Sequence, residues 1–227
     1  MDALNDILRI KLETLPFVLL VLMIAFAVHE FAHAYFAWKF GDPTAKMLGR
    51  VTLNPAKHMD VLGTLLFIIA GFGWAKPVPV NRANFKNPRM MGIVVSAAGP
   101  ISNLFLAFIG TIMLHVSLKM GWVAFEGMTR AQDALMIFLN LFIQYNIVLF
   151  LFNLIPLPPL DGYRIIEDLA PRRVQAKLAQ YEQWSIFIFL LIVFIPPIRE
   201  RTIDPLFSLS YDILLAFSRA AFFITGG

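Results

Sequence analysis

The sequence predicts an all-α integral membrane protein: a polytopic helical bundle of about four to five transmembrane helices, with a short re-entrant, β-like loop on the cytoplasmic side. Three observations lead there. Of the 227 residues, 59% are hydrophobic and 15% are charged, against roughly 25% charged in a water-soluble domain, so too few polar groups remain to coat a surface in water. Apolar runs near the length of about 20 residues that crosses a bilayer recur along the chain. Basic residues gather in particular loops rather than spreading evenly. A soluble globule is excluded, and the formal charge of +4 contains no basic run that would mark a nucleic-acid surface. With no cysteine, disulfides, thiolate metal sites and a cysteine nucleophile are excluded too, and a bound metal must rest on histidine and carboxylate.

Residues 1–14 place Leu4, Ile7 and Leu8 on one side, the pattern of a short interfacial helix; a basic n-region and a cleavage site, the marks of a signal peptide, are missing. Residues 15–40 form a first span, whose last third carries His29, Glu30 and His33, groups that lipid does not accept cheaply. Residues 91–118 form the second. The third, 134–155, holds Asn140, Gln144, Asn146 and Asn153, so one side faces protein or water. Residues 184–198 read as a short fourth span closed by Pro196 and Pro197. Residues 206–224 set Ser208, Tyr211, Asp212, Ser218 and Arg219 along one side, which suits either an amphipathic helix or a span packed on others. The run from Val61 to Phe72 is apolar but only 12 residues long, the length of a re-entrant or interfacial segment. It leads into Trp74–Asn81, where alternating proline and valine forbid helix and permit an extended edge. One membrane-embedded domain over 1–227, without repeats or a PDZ-like or other appended module, accounts for the chain.

The loop from Lys39 to Arg89 and the one after the third span together hold 12 of the 19 lysines and arginines. By the positive-inside rule both are cytoplasmic. The inner third of the first span and the inner end of the third then lie at one depth, and residues at those places can meet.

His29-Glu30-Phe31-Ala32-His33 is an HExxH pattern. Residues four apart share a helix face, so two imidazoles converge on one ion while the intervening glutamate projects beside it. Composition alone would give the pattern about 0.002 times per chain of this length. A tetrahedral site that keeps a water position needs a third protein ligand. Asp161, in Asn153-Leu154-Ile155-Pro156-Leu157-Pro158-Pro159-Leu160-Asp161-Gly162, follows the third span on the same side; Asp42, Asp60 and Asp168 are alternatives in cytoplasmic loops. Asn153 is a candidate donor to the oxyanion of a tetrahedral intermediate, or an interhelical hydrogen bond. His58, in Asn54-Pro55-Ala56-Lys57-His58, is a second candidate donor, or a structural loop residue. Asn103, after Gly99 and Pro100, can bond a substrate or a neighbouring helix, and His115 sits toward the outer end of its span.

With HEFAH in the first span, NPAKH, KPVPVNRANF, AAGPISN in the second span and NLIPLPPLDG after the third, the chain resembles the site-2 protease family of intramembrane zinc metalloproteases, in a compact form without a PDZ or CBS domain. The resemblance covers most of the chain. It implies one Zn²⁺ per chain held by His29, His33 and Asp161, with Glu30 as catalytic base and Asn153 stabilising the intermediate; it also implies a substrate-binding edge comparable to Lys76–Asn81. The expected function is hydrolysis of peptide bonds within transmembrane segments near the cytoplasmic face, in regulated intramembrane proteolysis or signal-peptide clearance. The expected setting is a prokaryotic cell (inner) membrane with the active site toward the cytoplasm. Transmembrane protein substrates, the lipid bilayer and a homo-oligomeric or regulatory membrane partner are the expected associations. A catalytically silent scaffold or chaperone of the same fold is the alternative, and the complete HExxH with Asp161 weighs against it.

Overall fold

Peptide N–H and C=O groups in hydrocarbon have no water to bond, so a crossing segment must satisfy them within itself, as a helix does. The computed structural model, which describes residues 12–70, 73–124 and 128–226, meets that demand throughout. Its helices in chain order are α1 (Leu15–Lys39), α2 (Thr44–Met47), α3 (Val61–Ala70), α4 (Pro88–Lys119), α5 (Arg130–Asn153), α6 (Asp161–Leu169), α7 (Arg172–Phe194) and α8 (Pro196–Thr225). Among the described residues α1, α4, α5 and α8 are long and apolar enough to cross a membrane, and there is no strand beyond an isolated antiparallel bridge between Met59 and Ala75. The chain is an all-α polytopic membrane protein.

Helices α1, α4 and α5 lie over the stretches 15–40, 91–118 and 134–155. The stretch 184–198 straddles the end of α7 and the start of α8, and 206–224 is the body of α8. The interfacial helix expected over 1–14 lies almost wholly outside the described residues. The break between α7 and α8 follows from Pro196 and Pro197: proline offers no N–H and drives the residue before it out of the helical region, and Ile195 is extended at φ −92°, ψ 107°. Prolines at the first turns of α1, α4 and α8 sit where an N–H would have no helical partner anyway. A capping box between Thr129 and Gln132 starts α5.

Helix α4 is central, packed against α1, α5, α6 and α8. On one side Ala107, Ile143, Ile147 and Leu151 form a core joined by Phe207 and Phe217 of α8. On another, Val18 and Leu22 of α1 pack with Leu141, Tyr145 and Leu149 of α5, and Phe67 of α3 closes the group. Exposed Leu20, Ile101, Phe105 and Met113 lie on the outer faces of the spans, where lipid takes the place of a packed partner.

The segment after α3 is an extended strap across the inner end of the bundle. Lys76 N–H donates to His58 O at 2.7 Å, and Arg50 donates to Lys76 O. At the far end Asn81 N–H and the Asn84 amide donate to the two oxygens of Asp42, each at 2.7 Å. Arg82 then reaches Glu167 and Asp168 of α6 at 3.1 and 3.0 Å, and Arg89 caps the last carbonyls of α6. The strap is thereby tied to Asp42, just past the end of α1, and through Arg82 to α6, next to the two helices that carry the candidate ligands.

Candidate metal centre

Helix α1 turns His29, Glu30 and His33 into the bundle, all three less than 9% exposed. The third residue comes from the start of α6. Pro156, Pro158 and Pro159 prevent α5 from continuing, and α6 opens at Asp161. A Cβ on Gly162 would stand 2.3 Å from Leu154 O, so only glycine lets α6 tuck against the end of α5 and bring Asp161 to α1. Asp161 Oδ2 is 3.2 Å from His29 Nε2, and Oδ1 is 3.3 Å from His33 Nε2. The two Nε2 atoms are 3.0 Å apart. Among the described residues this is the group of histidine and carboxylate side chains whose ligand atoms converge, all within 4.8 Å of one another.

The chemistry of this donor set fits a cation. His33 Nδ1 lies 2.7 Å from Val95 O, a carbonyl that can only accept, so the ring proton is on Nδ1 and Nε2 carries a lone pair. His29 Nδ1 is 2.6 Å from Asn103 Oδ1, with the same consequence. Two nitrogen lone pairs and a carboxylate then face one another, and Asp161 Oδ2 is buried without a hydrogen-bond partner. Gly99 of α4 makes the room: a Cβ there would stand 2.2 Å from His33 Nε2 and 2.6 Å from His29 Nε2.

A cavity of about 630 Å³ opens onto these groups, and Phe26, Leu149, Phe152, Arg82 and Arg164 are among the residues that line it. Glu30 lines it beside the ligands, and its Oε2 accepts the Val78 N–H of the strap at 3.1 Å. Asn153 lines it as well, one amide N–H donating to Leu149 O at 2.9 Å. His58 does not line it. That ring is fully buried behind the strap, with Nε2 donating to Thr52 O at 2.7 Å, and burial together with the nearby Arg50 holds its pKa below the ordinary value. The alternative carboxylates are occupied elsewhere: Asp42 by Thr44, Asn81 and Asn84, Asp60 by Gly63 N–H, and Asp168 by Arg82. His115 donates back to Thr111 O of its own helix at 3.0 Å. Sequence reasoning placed no role on Val78 N–H or on Asn146, whose contacts depend on how segments distant in sequence lie together.

Two helix-borne histidines, an aspartate in the first turn of a second helix and a neighbouring glutamate around one cavity inside a membrane bundle define a membrane-embedded metallohydrolase. The sequence profile of peptidase family M50 matches residues 17–196. The chain is 48% identical over 211 residues to "Putative zinc metalloprotease YwhC" of Bacillus subtilis (strain 168), covering 93% of this chain and 94% of that one. It is 32% identical over 184 residues to "Putative zinc metalloprotease Rip2" of Mycolicibacterium smegmatis, covering 79% of this chain and 66% of that longer one. Rip2 of Mycobacterium tuberculosis (strain H37Rv) is likewise 32% identical, over 77% of this chain and 65% of its own length. No solved structure matches the chain. The chain belongs to peptidase family M50 and is a membrane metalloprotease.

Proposed function

We propose that this protein binds one Zn²⁺ through His29, His33 and Asp161 and hydrolyses peptide bonds within transmembrane segments of other membrane proteins, near the cytoplasmic face. The observation that carries the reading is the convergence of those ligand atoms within 4.8 Å, beside Glu30, in a cavity lined in part by side chains of two spans. When bound, zinc lowers the pKa of a coordinated water to about 7 and polarises a carbonyl. The chain's own residues do the rest. Glu30 takes the water's proton and later returns it to the leaving amine. Asn153 spends one of its two amide N–H groups on Leu149 O; the second is a donor for the oxyanion. His58 serves from behind: its carbonyl holds Lys76 and its ring holds Thr52 O, so it keeps the strap in place.

A helix cannot be cut while its carbonyls are hydrogen-bonded, so the substrate must be held extended. The strap Lys76–Asn81 supplies an extended backbone at the cavity wall to which a substrate segment adds as a strand. The 12 basic residues gathered between the first and second spans and after the third support an orientation with the site toward the cytoplasm of a bacterial inner membrane.

The test is reconstitution in liposomes with single-span substrates. Wild-type protein should hold close to one zinc per chain and cleave; Glu30→Gln should hold zinc and cleave about 10² to 10⁴-fold more slowly. Equal cleavage by the variant, or wild type that retains no zinc, would sink the proposal.

A further inference from the structure

Behind His29, on the side away from the cavity, two amides sit in the middle of the bundle with no exposure at all: Asn103 of α4 and Asn146 of α5. At membrane depth such groups are costly unless every bond is made. Asn103 Nδ2 donates to Ala25 O of α1 at 3.3 Å and to Asn146 Oδ1 at 3.0 Å, and Asn146 Nδ2 donates to Phe142 O at 2.8 Å. Asn103 Oδ1 faces His29 Nδ1 at 2.6 Å.

The orientation of this chain has no freedom. Ala25 O and Phe142 O are backbone carbonyls and can only accept. Phe142 O therefore fixes Asn146 with its NH₂ toward α5 and its oxygen toward Asn103. Ala25 O and that oxygen together fix Asn103 with its NH₂ toward both and its own oxygen toward His29. An oxygen there requires a proton on His29 Nδ1, which leaves the lone pair on Nε2, the atom that faces His33 and Asp161. Reversing any one group would set donor against donor or carbonyl against oxygen in a site without water to relieve it.

We propose that Asn103, held by Asn146, is a positioning residue for the metal centre: it fixes the tautomer and ring orientation of His29, while Val95 O does the same for His33. The two ligands thus differ in support, one from a backbone carbonyl and one from a replaceable side chain, so the second can be tested by mutation. The inference rests on the zinc reading above.

The experiment measures Zn²⁺ affinity of the purified full chain by competition with a chromophoric chelator, the absorption of the Co²⁺-loaded protein, and the thermal midpoint of the metal-free protein. Asn103→Leu removes the acceptor, and zinc binding should weaken about 10 to 100-fold, the range for supporting partners of metal-bound histidine. Asn103→Asp has the same shape, loses both donors, and keeps the acceptor. It should bind zinc at least as tightly as wild type and give an unaltered Co²⁺ spectrum, although its metal-free midpoint falls. Asn146→Leu, which leaves the acceptor in place, should weaken binding less than Asn103→Leu. A purely packing role predicts instead that the Leu and Asp variants at 103 lose affinity together or not at all, and either result overturns the inference. If Asn103→Leu does not fold, Asn103→Ala takes its place as the variant without the acceptor: weakened binding in Ala with retained binding in Asp supports the positioning role, and equal affinities in the two refute it. Wild type without zinc would overturn the metal reading itself; wild type with zinc and an equally tight Asn103→Leu would overturn only the role of Asn103.

Discussion

At the scale of single residues, the centre depends on an absence as much as on its ligands. Gly99 faces the two Nε2 atoms, and the methyl group of alanine would lie 2.2 and 2.6 Å from them, well inside contact distance. Both sides are fixed, the rings by Val95 O and Asn103 and the glycine by the body of α4. Gly99→Ala should therefore displace the rings, leaving the helices formed but lowering turnover about 10²-fold or more, as misplacement of a reacting group by about 1 Å does. Helical content by circular dichroism with cleavage assayed in parallel checks this, and full activity would show that the ligand rings have room to retreat. The HExxH pair could be read from the sequence because helical spacing fixes where those side chains go, whereas the proline-stopped span only put Asp161 on the same side and the family resemblance chose it over Asp42, Asp60 and Asp168. Asn103 could not be resolved between substrate and neighbouring helix, since that turns on the rotation of α4 about its axis. His58 was legible as polar and near the site, but spacing does not say that Thr52 O turns its ring away from the cavity.

At the scale of elements, the strap and α6 carry the chemistry between spans. Along the strap Pro77 and Pro79 have no N–H, and the Val78 N–H points at Glu30; alternating proline and valine announced an extended edge, but not that a donor on it meets the proposed catalytic base. Val78→Pro removes that donor while keeping an extended backbone, and Val78→Ala keeps the donor. The Pro variant should lose about tenfold in kcat/KM, the worth of one hydrogen bond to a charged group, and the Ala variant much less; equal activities would mean the N–H is idle. On α6, Asp168 is buried beside Arg82 with Oδ2 unpartnered, and burial chiefly, with Glu167 adding, pushes its carboxyl up to about 6 despite the nearby arginines. A carboxyl raised on folding favours the folded state while protonated. Its contribution is therefore complete below the ordinary value of 3.8 and disappears as pH rises through about 6. The thermal midpoint of wild type relative to Asp168→Asn should accordingly fall between about pH 4 and about pH 7, and a flat or rising difference would contradict the raised value.

For the whole molecule, the question is which way the bundle faces. Gln132 Nε2 at the start of α5 donates to Gly121 O just past the end of α4, and Lys119 donates to Thr225 O at the end of α8. The ends of α4 and α8 and the start of α5 therefore share one side, and the strap, α6 and the metal ligands lie at the other. This connectivity was only partly legible, because 206–224 alone reads equally as a surface helix; its packing against Ala107 and Ile147 settles where it runs. Basic residues are concentrated on the ligand side, so that side should be cytoplasmic. The chain has no cysteine, which makes the orientation directly measurable with single introduced thiols. Exposed Trp122 and exposed Lys86 mark opposite sides. In intact cells a membrane-impermeant maleimide should label Trp122→Cys and spare Lys86→Cys until the membrane is opened. The reverse pattern would put the metal centre on the outer face, and substrates would then have to present their scissile bonds from the opposite leaflet.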